Sequence, residues 1–169
     1  LAVCGGIWVK PGGIVMDIKD VNVNAYYIED LKSKTKREVL VELAEVFKRG
    51  NIEADYDSMV EVLLEREKLG STGIGDGIAI PHGKLAGLEN LIISFGRSRE
   101  GVGFDSLDGN PVYIFFLLMA PENSAGQHLK ALAKISRMLK DRDFRKGLIE
   151  AESPEEMYNL IIEKDKTLS

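Results

Sequence analysis

The chain contains little cysteine and little histidine, and these shortages exclude several kinds of site. One cysteine among 169 residues cannot form a disulfide within the chain. Two histidines, without an HExxH pattern or a cluster of cysteines, do not supply the ligands of a typical zinc site. We therefore predict no metal site and no cofactor, and the single Cys4 is typical of a protein from the reducing cytoplasm.

Long hydrophobic runs, an excess of positive charge and the common catalytic motifs are also absent. No apolar run approaches the roughly 20 residues that span a bilayer, so membrane insertion is not expected. The formal net charge is −5, whereas a nucleic-acid partner normally requires a basic face. The sequence lacks a GxSxG elbow, a P-loop and a GxGxxG fingerprint, which disfavours serine hydrolases and nucleotide-binding proteins.

The composition is that of one globular domain. Hydrophobic residues make up 44% of the chain and charged residues 29%, and a chain of this length buries roughly two-thirds of its unfolded surface. Residues 1–15 contain the only Cys and the only Trp and lack the periodicity of the rest of the chain. We expect residues 1–15 to be a vector-derived or poorly ordered leader, and residues 16–169 to form a single domain.

From Met16 onward, short apolar runs alternate with amphipathic stretches, and this alternation predicts an α/β fold. Strands are predicted at 14–18, 21–28, 78–80, 91–95 and 112–119; the last is apolar throughout, which indicates a central strand covered on both faces. Helices are predicted to start after Thr35, Ser58, Ser124 and Ser153. Each of these residues is followed three positions later by Glu or Gln, the spacing of a capping box.

The segment from Gly70 to Lys84, GSTGIGDGIAIPHGK, is the most informative part of the chain. Its glycines allow backbone N–H groups to come close to a ligand, and Pro81 fixes the direction in which His82 leaves the chain. His82 would lie at the end of the predicted strand 78–80, a common place for reactive groups. The alternative is that His82 is only a solvated loop residue.

Two further residues are candidates for the same site. Arg66 is predicted in the last turn of its helix, where it either pairs with a neighbouring glutamate or offers its guanidinium to phosphate oxygens. His128 is predicted in the first turn of its helix, at the edge of the buried face, so the two histidines can meet. The positive end of that helix favours an anion such as phosphate. The alternative for His128 is a structural histidine bonded to a carbonyl.

Three segments resemble the enzyme IIA domain of the fructose, mannitol and nitrogen-regulatory group of the bacterial phosphoenolpyruvate-dependent sugar phosphotransferase system. They are EREKLGSTGIGDGIAIPHGK, GRSREGVGFDSLDGNP and PENSAGQHLKALAKISRMLKD, and the resemblance runs from about Asp17 to Lys164. It implies a compact α/β sandwich with a mixed sheet flanked by helices on both faces. It also implies site residues: His82 as the residue phosphorylated on Nε2, His128 and Arg66 beside it, and the phosphate-binding residues Ser71, Thr72, Gly73 and Gly83.

The resemblance further implies a protein-histidine phosphotransferase. His82 would accept a phosphoryl group from the carrier protein HPr and pass it to a cysteine of an enzyme IIB domain associated with a membrane permease, or its phosphorylation state would regulate another protein. His82 must be neutral to attack, and we expect its basic neighbours to keep its pKa from rising. The sequence favours neither the sugar-uptake branch nor the nitrogen-regulatory branch. The competing class is a non-catalytic interaction module or an anion sensor on the same fold.

Overall fold

The computed structural model describes the backbone of four strands at residues 2–4, 7–9, 14–18 and 21–28, and the chain from residue 30 to residue 168. The strands are β1 (Ala2–Cys4), β2 (Ile7–Val9), β3 (Ile14–Ile18), β4 (Val21–Ile28), β5 (Gly73–Gly75), β6 (Ile78–Ala79), β7 (His82–Leu85), β8 (Ile92–Val102) and β9 (Val112–Pro121). The helices are α1 (Lys36–Arg49), α2 (Tyr56–Lys68), α3 (Ala125–Lys140), α4 (Arg142–Glu150) and α5 (Pro154–Thr167).

These strands form a single mixed sheet in the order β1, β2, β4, β8, β9, β6, β5, with β3 also paired to β4 and β7 also paired to β9. The pair of β8 and β9 is antiparallel, whereas β4 with β8, β6 with β9 and β7 with β9 are parallel. Residues of β9 alternate between two buried clusters: Phe116 and Leu118 pack with α3, α4 and α5, and Phe115 and Leu117 pack with α1 and α2. The predicted mixed sheet with helices on both faces is therefore confirmed, as is the burial of its central strand on both sides.

Two of the four predicted helix starts are right in detail. Thr35 accepts the N–H of Glu38 and forms the complete capping box of α1, and Ser153 accepts the N–H of Glu156 at the start of α5. The prediction at Ser58 is wrong, because Asp55 caps α2 and accepts the Ser58 N–H at 3.0 Å. The carboxylate of Asp55 is a stronger acceptor than a hydroxyl, and the earlier start adds a turn to the helix.

At Ser124 the predicted position is right, but the predicted capping bond is absent. Ser124 is the N-cap residue of α3, yet its hydroxyl donates to the Pro121 carbonyl at 2.6 Å and makes no side-chain capping bond. The hydroxyl thus closes the turn between β9 and α3 instead of satisfying a helical N–H group. This turn places the first residues of α3 beside the end of the central strand.

The sequence prediction missed α4 and also ended the eighth strand too early. Arg97 is fully buried in β8, which a pattern of apolar residues does not anticipate. Its Nη1 donates to the carbonyls of Leu148, Ile149 and Ala151 at 3.0, 3.2 and 2.6 Å. A buried arginine in the strand therefore satisfies the C-terminal carbonyls of the unforeseen helix.

The prediction of a leader at residues 1–15 falls largely outside the described residues. Within that segment the structure describes only the backbone of β1, β2 and the beginning of β3. The leader and the domain boundary at residue 16 therefore stay predictions. In the part of the chain that the structure describes, no helix is both long enough and apolar enough to cross a membrane.

We predict that Arg97→Met lowers the free energy of unfolding by about 3 kcal/mol, because the carbonyls at the end of α4 lose their donor inside the fold. Arg99→Met is the matched control, since Arg99 is exposed and contacts Asp30 at 3.1 Å, as Arg97 does at 3.3 Å; the loss there should stay under about 1 kcal/mol. Urea unfolding followed by circular dichroism measures both values. Equal losses in the two variants would contradict this role of Arg97.

Candidate functional site

His82 is held by the parallel pairing of its strand with β9. It is the first residue of β7 and lies in register with Leu118, whose N–H donates to the Pro81 carbonyl at 2.9 Å. The predicted strand 78–80 is shorter than expected, because β6 contains only Ile78 and Ala79. His82 thus begins the following strand, two residues after Ile80, instead of ending the earlier one.

The hydrogen bonds of the His82 imidazole fix its tautomer. Its Nδ1 lies 2.8 Å from the Ile80 carbonyl oxygen, and its Nε2 lies 3.3 Å from Nε of Arg66. A carbonyl can only accept and a guanidinium can only donate, so Nδ1 carries the proton and Nε2 presents its lone pair. The half-buried ring is therefore a neutral imidazole whose free nitrogen faces an arginine.

Arg66 reaches this nitrogen because α2 packs tightly on β7. A Cβ atom at Gly83 would lie 2.7 Å from Cγ1 of Val62, so only glycine allows this approach. Arg66 is one turn beyond Val62 in α2, and its Nη1 also donates to the Gly70 carbonyl at 2.8 Å. The contact that the structure assigns to Gly83 is thus with α2, and its predicted phosphate-binding role stays a prediction.

The alternative that Arg66 pairs with a neighbouring glutamate does not describe its contacts. Glu65 forms an ion pair with Lys68, and Glu67 forms one with Lys36. The guanidinium is therefore directed to His82 and to the Gly70 carbonyl.

His128 lies beside His82, as predicted. It is in the first turn of α3, its side chain is buried, and the centroids of the two imidazole rings are 5.5 Å apart at an interplanar angle of 59°. Among the described residues, nothing forms a hydrogen bond with its Nε2 atom. A buried ring nitrogen without a partner, in a ring that lies beside the His82 ring, marks a place where a polar ligand is accommodated.

Both histidines are held in the neutral form. Burial is the largest cause that lowers the pKa of His82, and the charge of Arg66 lowers it further, while the Ile80 carbonyl and Glu67 act in the opposite direction. Burial is the largest cause that lowers the pKa of His128 to about 4, followed by repulsion from His82 when that ring is protonated and by the charge of Lys84. The expectation that the pKa of His82 does not rise is confirmed, although burial contributes more than the basic neighbours.

The hydroxyls of the glycine-rich turn are bound within the protein. The Ser71 hydroxyl donates to the Phe104 carbonyl at 2.8 Å and accepts the N–H of Gly73 at 3.0 Å. Thr72 is buried, and both its hydroxyl and its N–H donate to the carboxylate of Glu67. The predicted phosphate-binding roles of Ser71 and Thr72 stay predictions, and the contacts observed fix the turn to Phe104 through Ser71 and to α2 through Thr72.

Gly73 is fixed in the same way. Its carbonyl accepts the N–H of Leu107 at 3.0 Å, and a Cβ atom there would lie 3.0 Å from Cα of Ser106. The loop at 104–110 therefore covers this part of the turn, and phosphate binding by Gly73 also stays a prediction. Among the described residues, no group of three or more His, Cys, Asp and Glu side chains is placed to hold a metal ion.

Sequence reasoning missed Glu67 and the exposed apolar residues near the site. Glu67 offered one signal, since an acidic residue in the last turn of a helix opposes the helix dipole and therefore needs another reason to be there. The apolar residues Leu69, Ile74, Leu107 and Leu129 are all exposed, and hydrophobicity alone predicts burial for them. Only the folded structure distinguishes these four from core residues.

We predict that the stability of the protein falls as the pH decreases from 6.5 toward 4. The unfolded chain binds a proton at His128 near its ordinary pKa of 6.5, whereas the folded protein does so only near about 4. The His128 contribution is therefore complete above pH 6.5 and is lost below it, by up to about 3 kcal/mol at pH 4.

His128→Gln is the variant that isolates this contribution. The lowered pKa of His82 makes the free energy of unfolding fall with decreasing pH in both proteins, so only their difference reports on His128. The difference in unfolding free energy between wild type and His128→Gln should shrink as the pH falls through this range. Urea unfolding at several pH values, with NMR titration of the imidazole, measures it. A titration of His128 near 6.5 would contradict the assignment.

Similarity to known proteins agrees with this geometry. The family model of the phosphoenolpyruvate-dependent sugar phosphotransferase system, EIIA 2, matches residues 22–164. A nitrogen regulatory protein of Bradyrhizobium diazoefficiens is 42% identical over 147 residues, which cover 86% of this chain and 95% of that protein. The fructose-specific EIIABC component of Bacillus subtilis is 41% identical over 137 residues, which cover 81% of this chain and 22% of that longer protein.

Solved structures show the same fold. The crystal structure of the nitrogen regulatory protein IIA-Ntr from Neisseria meningitidis superimposes with a TM-score of 0.73 at 38% identity, over 78% of this chain and 90% of that chain. Enzyme IIA of the mannitol system from Escherichia coli, in complex with phosphorylated enzyme IIB, has a TM-score of 0.66 at 23% identity, over 80% of this chain and 93% of that chain. The chain therefore belongs to the EIIA 2 family of the phosphoenolpyruvate-dependent sugar phosphotransferase system.

Proposed function

We propose that this protein is a phosphocarrier that accepts a phosphoryl group on Nε2 of His82 and transfers it to another protein. The observation that carries the proposal is the fixed tautomer of His82, whose Nδ1 is bound to the Ile80 carbonyl and whose Nε2 faces Arg66. An uncharged imidazole nitrogen is a nucleophile at neutral pH. The lowered pKa of His82 keeps that nitrogen unprotonated under the same conditions.

In the proposed step, the lone pair of Nε2 attacks the phosphorus atom of a phosphohistidine on the donor protein. A new P–N bond forms as the donor's P–N bond breaks, and the bonding electron pair returns to the donor imidazole. Positive charge develops on the His82 ring, and the Ile80 carbonyl stabilises it through the proton on Nδ1. His82 keeps that proton throughout, so the step requires no separate base.

Two groups are placed to stabilise the phosphoryl oxygens. The Arg66 guanidinium donates to the lone pair of Nε2 in the free protein, and it would donate to a phosphoryl oxygen once Nε2 is bonded to phosphorus. His128 adds a second ring nitrogen, which has no partner among the residues that the structure describes and would donate to a phosphoryl oxygen when it carries the ring proton. Phosphoryl transfer depends mainly on positioning and on stabilisation of charge, and donors of this kind supply both without a metal ion.

We infer that the donor is HPr and that the acceptor is a cysteine of an enzyme IIB domain or a protein regulated by the phosphorylation state. The complex of the mannitol enzyme IIA with phosphorylated enzyme IIB supports a IIB acceptor. The nitrogen regulatory relatives support the regulatory use, and the fructose-specific relative supports sugar uptake. The proposal places the protein in the cytoplasm, in association with a membrane permease when it serves transport.

Exposed apolar side chains near the site support docking of these partners. Leu69 follows Arg66 by three residues, Ile74 lies in β5, Leu107 donates its N–H to Gly73, and Leu129 follows His128. We call these four residues the apolar rim. Contacts by apolar side chains at the centre of an interface supply much of the affinity of protein complexes, so we assign the rim to partner binding.

We predict that incubation with phosphoenolpyruvate, enzyme I and HPr adds one phosphate to the protein, and that His82→Ala abolishes this gain. His128→Ala should keep the fold and slow the transfer by roughly 100-fold, as is typical when one stabilising donor is removed. Intact-mass spectrometry over time measures both results. Transfer to a fructose IIB domain in a second incubation would indicate the transport role.

The same experiment separates the competing functions. Absence of a mass gain in the wild-type protein would overturn the carrier proposal in favour of an interaction module or an anion sensor. Unchanged transfer rates in His128→Ala, in both directions, would show that this histidine is only structural.

For the apolar rim, we predict that Leu107→Gln raises the KM for phosphorylated HPr by about tenfold and leaves kcat unchanged, because it weakens docking without touching His82. Ile149→Gln is the matched control, since Ile149 is an exposed apolar residue on α4. Initial rates at varied HPr concentration give both constants. Equal effects at the two positions would remove the rim from the docking surface.

A further inference from the structure

Glu67 is a buried acidic residue that the proposed transfer does not use. It follows Arg66 in the last turn of α2, and it is 8% exposed. A carboxylate at this end of a helix opposes the helix dipole, and its burial costs hydration free energy. Its contacts must therefore compensate for both costs.

The carboxylate of Glu67 joins three parts of the fold. It accepts the hydroxyl proton of Thr72 and the Thr72 N–H, the latter at 3.2 Å from Oε2. Lys36, the first residue of α1, places Nζ 3.2 Å from the same Oε2 atom and 3.2 Å from Oδ2 of Asp105. The carboxylate thus fixes the turn after α2 to both α1 and α2, and the lysine balances its charge near a site that would receive an anion.

This arrangement bears on Arg66 through Gly70. The Gly70 carbonyl orients the guanidinium by accepting Nη1 at 2.8 Å. Gly70 has a φ of +145°, and no atom lies within 4 Å of the place where its Cβ would be, so this side of the residue faces open space. Its position depends on the bonds around it, and Glu67 makes two of them: its carbonyl accepts the Gly70 N–H at 3.1 Å, and its side chain holds Thr72.

We propose that Glu67 is a positioning residue of this site: it holds the turn from Gly70 to Thr72 and thereby keeps the Arg66 guanidinium against Nε2 of His82. The expected effect on the rate of transfer rests on the proposed phosphocarrier function. The positioning of Arg66 does not, because it is a property of the unphosphorylated protein. Glu67 acts through Thr72 and Gly70 and has no role in contacting the phosphoryl group.

The first test is Glu67→Gln, which preserves size and removes the charge that holds Thr72 and Lys36. We expect kcat for phosphoryl acceptance to fall by roughly 10- to 100-fold, because a small displacement of a stabilising group has effects of this size. The KM for phosphorylated HPr should change by less than about twofold, since the docking residues are untouched. Glu65→Gln is the matched control: it removes the same charge from the same turn of α2, where Glu65 is exposed and paired with Lys68. It should alter neither constant.

A second variant tests the route through Thr72. Thr72→Val removes the hydroxyl that donates to Glu67 and should also lower kcat. The double variant with Glu67→Gln should be no slower than the slower single variant, because both act on the same contacts. Additive losses would show that Thr72 binds the phosphoryl group independently, and this would overturn the route through Thr72 and Gly70. Thr72→Val also carries the test if Glu67→Gln does not fold.

A third measurement does not depend on phosphoryl transfer. The nitrogen-15 NMR signal of Arg66 Nε–H, assigned by its loss in Arg66→Lys, reports the bond to His82 in the unphosphorylated protein. This signal should shift in Glu67→Gln and not in Glu65→Gln. A wild-type protein that accepts no phosphate but shows this shift would overturn the proposed function and leave the positioning intact. An unchanged signal with unchanged kcat in Glu67→Gln would overturn the positioning role.

Discussion

The packing of α2 on β7, at the point where Val62 meets Gly83, determines the geometry of the site. Successive residues of a strand point to opposite faces of the sheet, so Gly83 faces α2 while the neighbouring His82 faces His128 on α3. Any side chain at position 83 would push α2 away, because a Cβ there lies 2.7 Å from Val62. Arg66, one turn further along α2, would then lose its distance of 3.3 Å to His82. Gly83 therefore sets the position of Arg66, the charged residue that contacts His82.

The strand that carries this contact is itself fixed by the centre of the sheet. β7 pairs with β9, whose residues from 114 to 120 are buried on both faces between the two layers of helices. Protein interiors are packed as densely as organic crystals, so a strand held in this way has little freedom to shift. His82 thus combines a rigid backbone with a half-exposed ring. A nucleophile that must meet a phosphorus atom on another protein benefits from both properties.

The sequence was sufficient for the parts of the fold that depend on local pattern. A continuous apolar run located the central strand, and the Thr35 and Ser153 caps can be derived from residue type and spacing alone. The errors arose where a stronger local cap or a tertiary contact decides the outcome. Asp55 outcompetes Ser58 as a cap, and Arg97 continues a strand because carbonyls of a distant helix satisfy it. The meeting of His82 with His128 could be anticipated, since both lie at the ends of elements that a sandwich brings together.

The charges around Glu67 explain why its role in the site could not be inferred from the sequence. A phosphoryl group brings negative charge, so an acidic residue next to Arg66 would weaken phosphate binding if its carboxylate were free. Glu67 is instead surrounded by donors from Thr72 and by the ammonium group of Lys36, 31 positions earlier in the chain. The ammonium group also lies 4.8 Å from the centroid of the Phe104 ring, which belongs to a third segment. The effect of Glu67 depends on partners from three segments of the chain, so no sequence pattern within a single segment predicts it. Its contribution is apparent only in the folded arrangement, in which one carboxylate both orders the glycine-rich turn and has its own charge balanced.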